Sequence, residues 1–257
     1  MVKTEKFIND DFSCFLMDTS KYSLKSLEEK LGLYISEMLN FQREGSISTK
    51  AKIELSNQLE TILVETVNKD QLQVVKELFP NTNNIVEVLQ TYKDTREFQL
   101  ISGALAYVFQ FSNYNSNLTD KAAELLLNYK NQNAKYALAS SLKVISSLNY
   151  NTEEALEKII TLYKTIESPN LIEKSAKIFR EQGKLGDIEC VDKTINLLLD
   201  HSHTSAEKYC ELLKFIGAFT NFKEVSSNPK LLCKGLDLLS AYYSSDSSCF
   251  GKNIKKL

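Results

Sequence analysis

Residues 152–182 read TEEALEKIITLYKTIESPNLIEKSAKIFREQ and contain two helix signals in succession. Thr152 and Ser168 are residue types that cap helix N-termini. Thr152 is followed by two glutamates, and Ser168 by Pro169, both of which favour a first helical turn. After each cap, Leu, Ile, Tyr or Phe recurs every three or four residues, which is the spacing of one helix face. The stretch therefore predicts a helical hairpin.

The same cycle of cap, apolar stripe and polar break continues on both sides of this hairpin, between residues 119 and 243. Alternate helix starts lie 33 to 40 residues apart. A period of this size is typical of an α-solenoid, in which each hairpin packs on its neighbours. The candidate helix starts are Thr119, Asn131, Thr152, Ser168, Asp187, Thr204 and Ser227.

The N-terminal half carries further helix signals. A helix is expected from Ser23 to about Gln42, with a capping box formed by Ser26 and Glu29. Another begins at Ser48, and residues 95–112 are apolar nearly all round, so neighbours must enclose that helix. No stretch has the alternating pattern of a strand, and the fold class is expected to be all-α, with about 10 to 12 helices. We expect an N-terminal arm (1–22), a helical repeat domain (23–243) and a C-terminal tail (244–257).

Residues 48–243 resemble armadillo and HEAT repeats in the length of their helices and in their period. The resemblance implies a right-handed α-solenoid of stacked helical hairpins. Residues 174–200, KSAKIFREQGKLGDIECVDKTINLLLD, are also similar to a tetratricopeptide repeat, but the chain has no Trp and its period drifts. A compact helical bundle is the remaining alternative.

Composition limits the compartment and the partners. The chain has 31 Lys and Arg against 33 Asp and Glu, only three of its cations are arginines, and this balance argues against nucleic acid as a partner. No stretch approaches the roughly 20 apolar residues of a membrane span, and the first residues lack the apolar core of a signal peptide. We therefore expect a cytoplasmic or nuclear protein without a membrane partner. The five cysteines are expected to be buried thiols in a reducing compartment.

The resemblance implies a non-enzymatic scaffold or adaptor that binds a protein along its concave helices. If the second helix of each pair lines that face, the helices are 131–148, 168–182 and 204–222. Lys174, Lys177 and Arg180 fall almost in one line, which suits an acidic partner segment. The alternative is a solvated face neutralised locally by Glu173 and Glu181. The candidate partner-binding residues are Lys135, Lys143, Lys174, Lys177, Arg180, Lys208, Glu211 and Lys214.

Signals for catalysis are weak. The chain has no glycine-rich phosphate loop and no Gly-x-Ser-x-Gly motif, and the spacing of His201 and His203 to Cys190 and Cys210 matches no standard zinc module. We therefore expect no catalytic residue, no metal and no cofactor. The alternative function is a compact all-α regulatory factor (a nucleotide-exchange, GTPase-activating or chaperone cofactor) or a helical-bundle enzyme. A GTPase-activating role would need an exposed arginine such as Arg43, Arg96 or Arg180.

Overall fold

The computed structural model describes residues 26–44, 47–80, 82–147, 152–166, 168–186 and 188–244. These residues form thirteen helices and no strand, which confirms the predicted all-α class. The helices are α1 (Leu27–Glu44), α2 (Thr49–Asn68), α3 (Leu72–Leu78), α4 (Asn84–Tyr92), α5 (Phe98–Phe111), α6 (Ser116–Asn128), α7 (Gln132–Ser147), α8 (Thr152–Thr165), α9 (Pro169–Leu185), α10 (Ile188–Asp200), α11 (Ala206–Thr220), α12 (Lys223–Ser227) and α13 (Lys230–Ser244).

Several predicted caps are present in the structure. Ser26 and Glu29 form the reciprocal capping box, with the Ser26 amide donating to the Glu29 carboxylate at 2.9 Å and the Glu29 amide donating to Oγ of Ser26 at 3.2 Å. The Ser48 hydroxyl accepts from the amide at the third residue of the first turn of α2. Oδ1 of Asn131 accepts from the Ala134 amide in the same way at the start of α7. These side chains satisfy amides that the helix itself leaves unpaired.

Other predicted starts are wrong by a few residues. The cap of α6 is Asn115 rather than Thr119, and the cap of α11 is Ser205 rather than Thr204. Ser227 ends the five-residue α12, and α13 begins only after Pro229. Asp187 lies outside the described residues, as do the predicted arm and residues 245–257 of the predicted tail. The structure has more helices than expected because the apolar period does not resolve elements as short as α3 and α12.

The helices pack in two rows. The first row contains α2, α5, α7, α9 and α11, and each helix contacts the next in this order. The second row contains α4, α6, α8, α10 and α13, which contact one another in the same sequential manner. Most contacts between the rows join helices that follow one another in the chain, such as α5 with α6 and α9 with α10. Among the described residues, every pair of extensively packed helices is at most three positions apart in chain order.

The core lies between the two rows. Helix α5 is its most enclosed part, because every residue from Ile101 to Phe111 is buried, as its uniformly apolar sequence predicts. Phe79 packs edge-on against Phe109 in this region, with ring centroids 4.7 Å apart. Further along, Tyr163 of α8 packs edge-on against Phe179 of α9. One continuous apolar cluster therefore runs from α1 to α13.

One cysteine expectation is wrong. Cys190 of α10 and Cys233 of α13 are joined by a disulfide, with Cα atoms 5.0 Å apart, a separation that such a bond requires. The sequence does not reveal this pair because its members lie 43 residues apart and come together only when α10 packs on α13. Cys210 is a free thiol.

Candidate partner-binding face

One side of the first row forms a polar surface, and we call it the open face. It consists of the exposed and half-buried residues of α7, α9 and α11 that lie opposite their buried stripes. Its members are Tyr136, Ser140, Lys143, Ser147, Glu173, Lys177, Arg180, Glu181, Lys184, Glu207, Lys208, Glu211 and Lys214. Three helices thus contribute side chains to one surface.

On α9, glutamates accompany the cations of the open face. Lys177 is 56% exposed, and its ammonium lies 2.6 Å from the Glu173 carboxylate. Glu181 contacts both Arg180, at 3.3 Å, and Lys184, at 2.8 Å. Ion pairs this exposed contribute only about 0 to 1 kcal/mol each, so a partner carboxylate can compete with the glutamates for these cations.

Lys174 and the α11 residues complete the predicted cluster. Lys174 is half-buried, and its Nζ lies 3.3 Å from Sγ of Cys210 on α11, so it lies at the junction of the two helices rather than in the open. Lys208, Glu211 and Lys214 are all exposed along one side of α11. The structure therefore brings the predicted residues of α9 and α11 onto adjacent helices.

Lys135 does not belong to the open face. Its side chain is 3% exposed, its Nζ donates to the Tyr92 hydroxyl, and the same atom lies 3.8 Å from the centroid of the Tyr92 ring. This contact holds the start of α7 against the end of α4. A partner cannot reach Lys135 in this structure.

Lys143 takes part in a polar cluster that spans three helices. Its ammonium lies 3.2 Å from the Glu60 carboxylate on α2 and 4.6 Å from the centroid of the Tyr107 ring on α5. The pair meets over Gly103, where an added Cβ would lie 2.6 Å from Oε2 of Glu60. A side chain at this position would therefore displace the ends of the Glu60 and Lys143 side chains. Burial raises the pKa of Tyr107, and the Glu60 charge adds to the effect.

A shallow cleft of about 730 Å³ lies at one edge of the first row. It is formed by the loop before α5 and the first turns of α7. Its lining includes one of the three arginines, and the exposed Tyr136 connects it to the open face. The lining residues are Asp94, Thr95, Arg96, Glu97, Gln132, Asn133 and Tyr136.

The second row carries a regular ladder of contacts between successive helices. In α6, α8 and α10 an acidic residue is followed directly by a lysine; the acid accepts from the preceding helix of the row, and the lysine donates to the following one. Hydrogen bonding to Asp237 raises the pKa of Lys193. The four contacts are Asn84 with Asp120 at 2.7 Å, Lys121 with Glu157 at 3.4 Å, Lys158 with Asp192 at 3.2 Å and Lys193 with Asp237 at 2.8 Å.

The motif that forms this ladder is present in the sequence, although apolar spacing does not predict it. Asp120-Lys121, Glu157-Lys158 and Asp192-Lys193 are acid-lysine pairs that recur at the period of the alternate helix starts. Apolar periodicity does not reveal them, because they lie on the polar side of each helix. A search for charged pairs at that period would have found them.

Chemical sites are sparse in the part of the chain that the structure describes. No group of three or more His, Cys, Asp or Glu residues there could hold a metal ion. The His201 ring packs against Tyr243 at 5.2 Å, whereas Cys190 is committed to its disulfide, so these ligand types do not converge. The described helices also include none that is long and apolar enough to cross a bilayer.

Comparisons of this chain with protein-family models, with curated proteins and with solved structures find no significant match.

Proposed function

We propose that this chain is a non-enzymatic α-solenoid, of the armadillo or HEAT type and right-handed, that binds a partner protein along the open face. The observation that supports the proposal most is the packing of helices in two sequential rows. In such an array each hairpin contacts only its neighbours, and one row presents a continuous surface to solvent. The recurring acid-lysine ladder of the second row is further support, because equivalent residues make equivalent contacts in successive hairpins.

The chemistry of the open face favours an acidic segment as the partner. Lys208 and Lys214 are exposed and form no ion pair within the described ranges, and the exposed Lys177 pairs only with the half-buried Glu173. A carboxylate of the partner would gain the interaction with these cations without the cost of breaking a buried contact. Glu211 lies between the two α11 lysines and would set the register of such a segment by repelling its acids.

Charge reversal tests the assignment. We expect Lys177→Glu, Lys208→Glu and Lys214→Glu together to abolish the capture of specific partners from a native lysate, while the far-UV circular dichroism spectrum stays unchanged. A matched control changes three exposed lysines elsewhere, Lys76, Lys93 and Lys130, to glutamate. Equal loss of partners from both variants would show that net charge matters and not the open face. Full capture by the first variant would mean that the wrong face has been assigned.

A further inference from the structure

The ladder of contacts along the second row stops at α13, where a leucine follows the acid in place of a lysine. In α6, α8 and α10 the residue after the acid is a lysine that reaches the next helix of the row. In α13 the acid is Asp237, and the next residue is Leu238. Leu238 therefore occupies the position that, in three preceding helices, contacts the following helix. It is 72% exposed, the largest value for any large apolar side chain among the described residues.

Leu238 is one of several apolar residues on this side of α13 and on the adjoining end of α11. Leu231 lies two turns earlier on the same side of α13 and is also exposed. Gly235 lies between them, and the Phe219 ring packs on it, 3.3 Å from the place of a Cβ. The exposed Phe222 ring extends the surface, with its centroid 5.8 Å from that of Phe219. We call Phe219, Phe222, Leu231 and Leu238 the end strip.

The charges beside the end strip discriminate between possible occupants. Lys230 and Lys234 are exposed on α13 and form no ion pair with any residue that the structure describes. A second copy that paired Leu231 with its own Leu238 in antiparallel fashion would bring the two Lys234 side chains together. Residues 245–257 contain three lysines and only one acid, so this segment would also meet like charge. An acidic helix from another protein meets neither obstacle.

We propose that the end strip docks an acidic amphipathic helix of a partner protein, which stacks on α13 as the next helix of the second row would. The two leucines are about 10 Å apart along the helix axis, so the docked helix should carry apolar residues two turns apart. Asp or Glu beside those residues would face Lys230 and Lys234. The end strip shares α11 with the open face but none of its residues, so different variants test the two surfaces.

Selection from a peptide library tests the proposal directly, because the method does not require an identified partner. The probe is a phage-displayed library of helix-forming peptides about four turns long, selected on the immobilised full-length chain. We expect enriched peptides to be acidic, with apolar residues two turns apart. In fluorescence anisotropy, Leu238→Glu and the double change Lys230→Glu with Lys234→Glu should each weaken the binding of an enriched peptide by about tenfold or more. Leu39→Glu, at an exposed leucine of α1, is the matched control and should bind like the wild type.

Four results would overturn the proposal. The first is a library that yields no peptide preferring the wild type over Leu238→Glu, and the second is enrichment of basic peptides. The third is a dimer in light scattering that Leu238→Glu converts to a monomer, because the occupant would then be a second copy. The fourth is a chain ending at Ser244 that binds the peptides when the full-length chain does not, because residues 245–257 would then cover the strip. Circular dichroism shows whether each variant remains folded.

Discussion

Replacing Gly183 by alanine tests whether α7 and α9 are direct neighbours in the first row. A Cβ at Gly183 would overlap Cγ1 of Val144 on α7, and this β-branched side chain has little freedom to move aside. Overpacking of this kind costs about 1 to 3 kcal/mol. Alanine in place of glycine inside a helix contributes about 1 kcal/mol of stability in the opposite direction. We therefore expect Gly183→Ala to be destabilising by roughly 0 to 2 kcal/mol.

Two companion variants make this test specific. Gly32 lies inside α1, and an added Cβ there meets nothing within 4 Å, so Gly32→Ala should stabilise the chain by about 1 kcal/mol. In a Val144→Ala background the overlap is removed, and Gly183→Ala should then stabilise the chain by a similar amount. Urea denaturation followed by circular dichroism measures all the variants and the coupling between them. If Gly183→Ala stabilised the chain as Gly32→Ala does, and Val144→Ala left that effect unchanged, Gly183 would not pack against Val144.

Three further predictions concern the Tyr129 hydroxyl, the disulfide and three buried tyrosines. The Tyr129 hydroxyl lies 2.5 and 2.9 Å from the carbonyl oxygens of Tyr163 and Ile166 at the end of α8, so Tyr129→Phe should cost about 1 to 2 kcal/mol in urea denaturation, whereas Tyr136→Phe, at an exposed site, should cost nothing measurable. The Cys190–Cys233 disulfide closes a long loop and should contribute up to about 4 kcal/mol. Dithiothreitol should therefore lower the melting temperature of the wild type and of Cys210→Ser but not of the Cys190→Ser/Cys233→Ser variant. Burial raises the pKa of Tyr34, Tyr163 and Tyr209 above the usual value of 10.0, so their contribution to stability is complete below pH 10 and is lost as pH rises further. Phenolate absorbance from these residues should appear only together with loss of helical signal, and an earlier appearance would contradict their burial.

The sequence predicts which segments of this chain are helical better than it predicts the residues at which the helices begin and end. The capping box at Ser26, the cap at Asn131 and the burial of α5 follow from local chemistry and apolar spacing, which act within a few residues. The predicted start of α13 is wrong because Ser227 has the chemistry of a cap, although Pro229 favours a start just beyond it.

The candidate site is only partly predictable for a different reason. The exposure of Lys177, Lys208 and Lys214 follows from their positions opposite apolar stripes. Lys135 has a similar sequence context, but a ring from α4 encloses it, and this contact between distant residues leaves no local signal. The disulfide cannot be predicted from local sequence either, because its two cysteines meet only after α10 and α13 have packed.

A series of distances from one fixed point tests the stacked-hairpin account most directly. A spin label, attached by chemistry that leaves the thiols untouched, is placed at Glu211 of α11 and paired in turn with one at Lys177 (α9), Tyr136 (α7), Gln99 (α5) or Glu54 (α2). All five positions are exposed. Neighbouring helices lie about 8 to 10 Å apart, so the distance measured by pulsed electron paramagnetic resonance should grow with every helix and, over four steps, reach about 32 to 40 Å at Glu54. A distance to Glu54 shorter than that to Tyr136 would show a closed bundle and contradict the account.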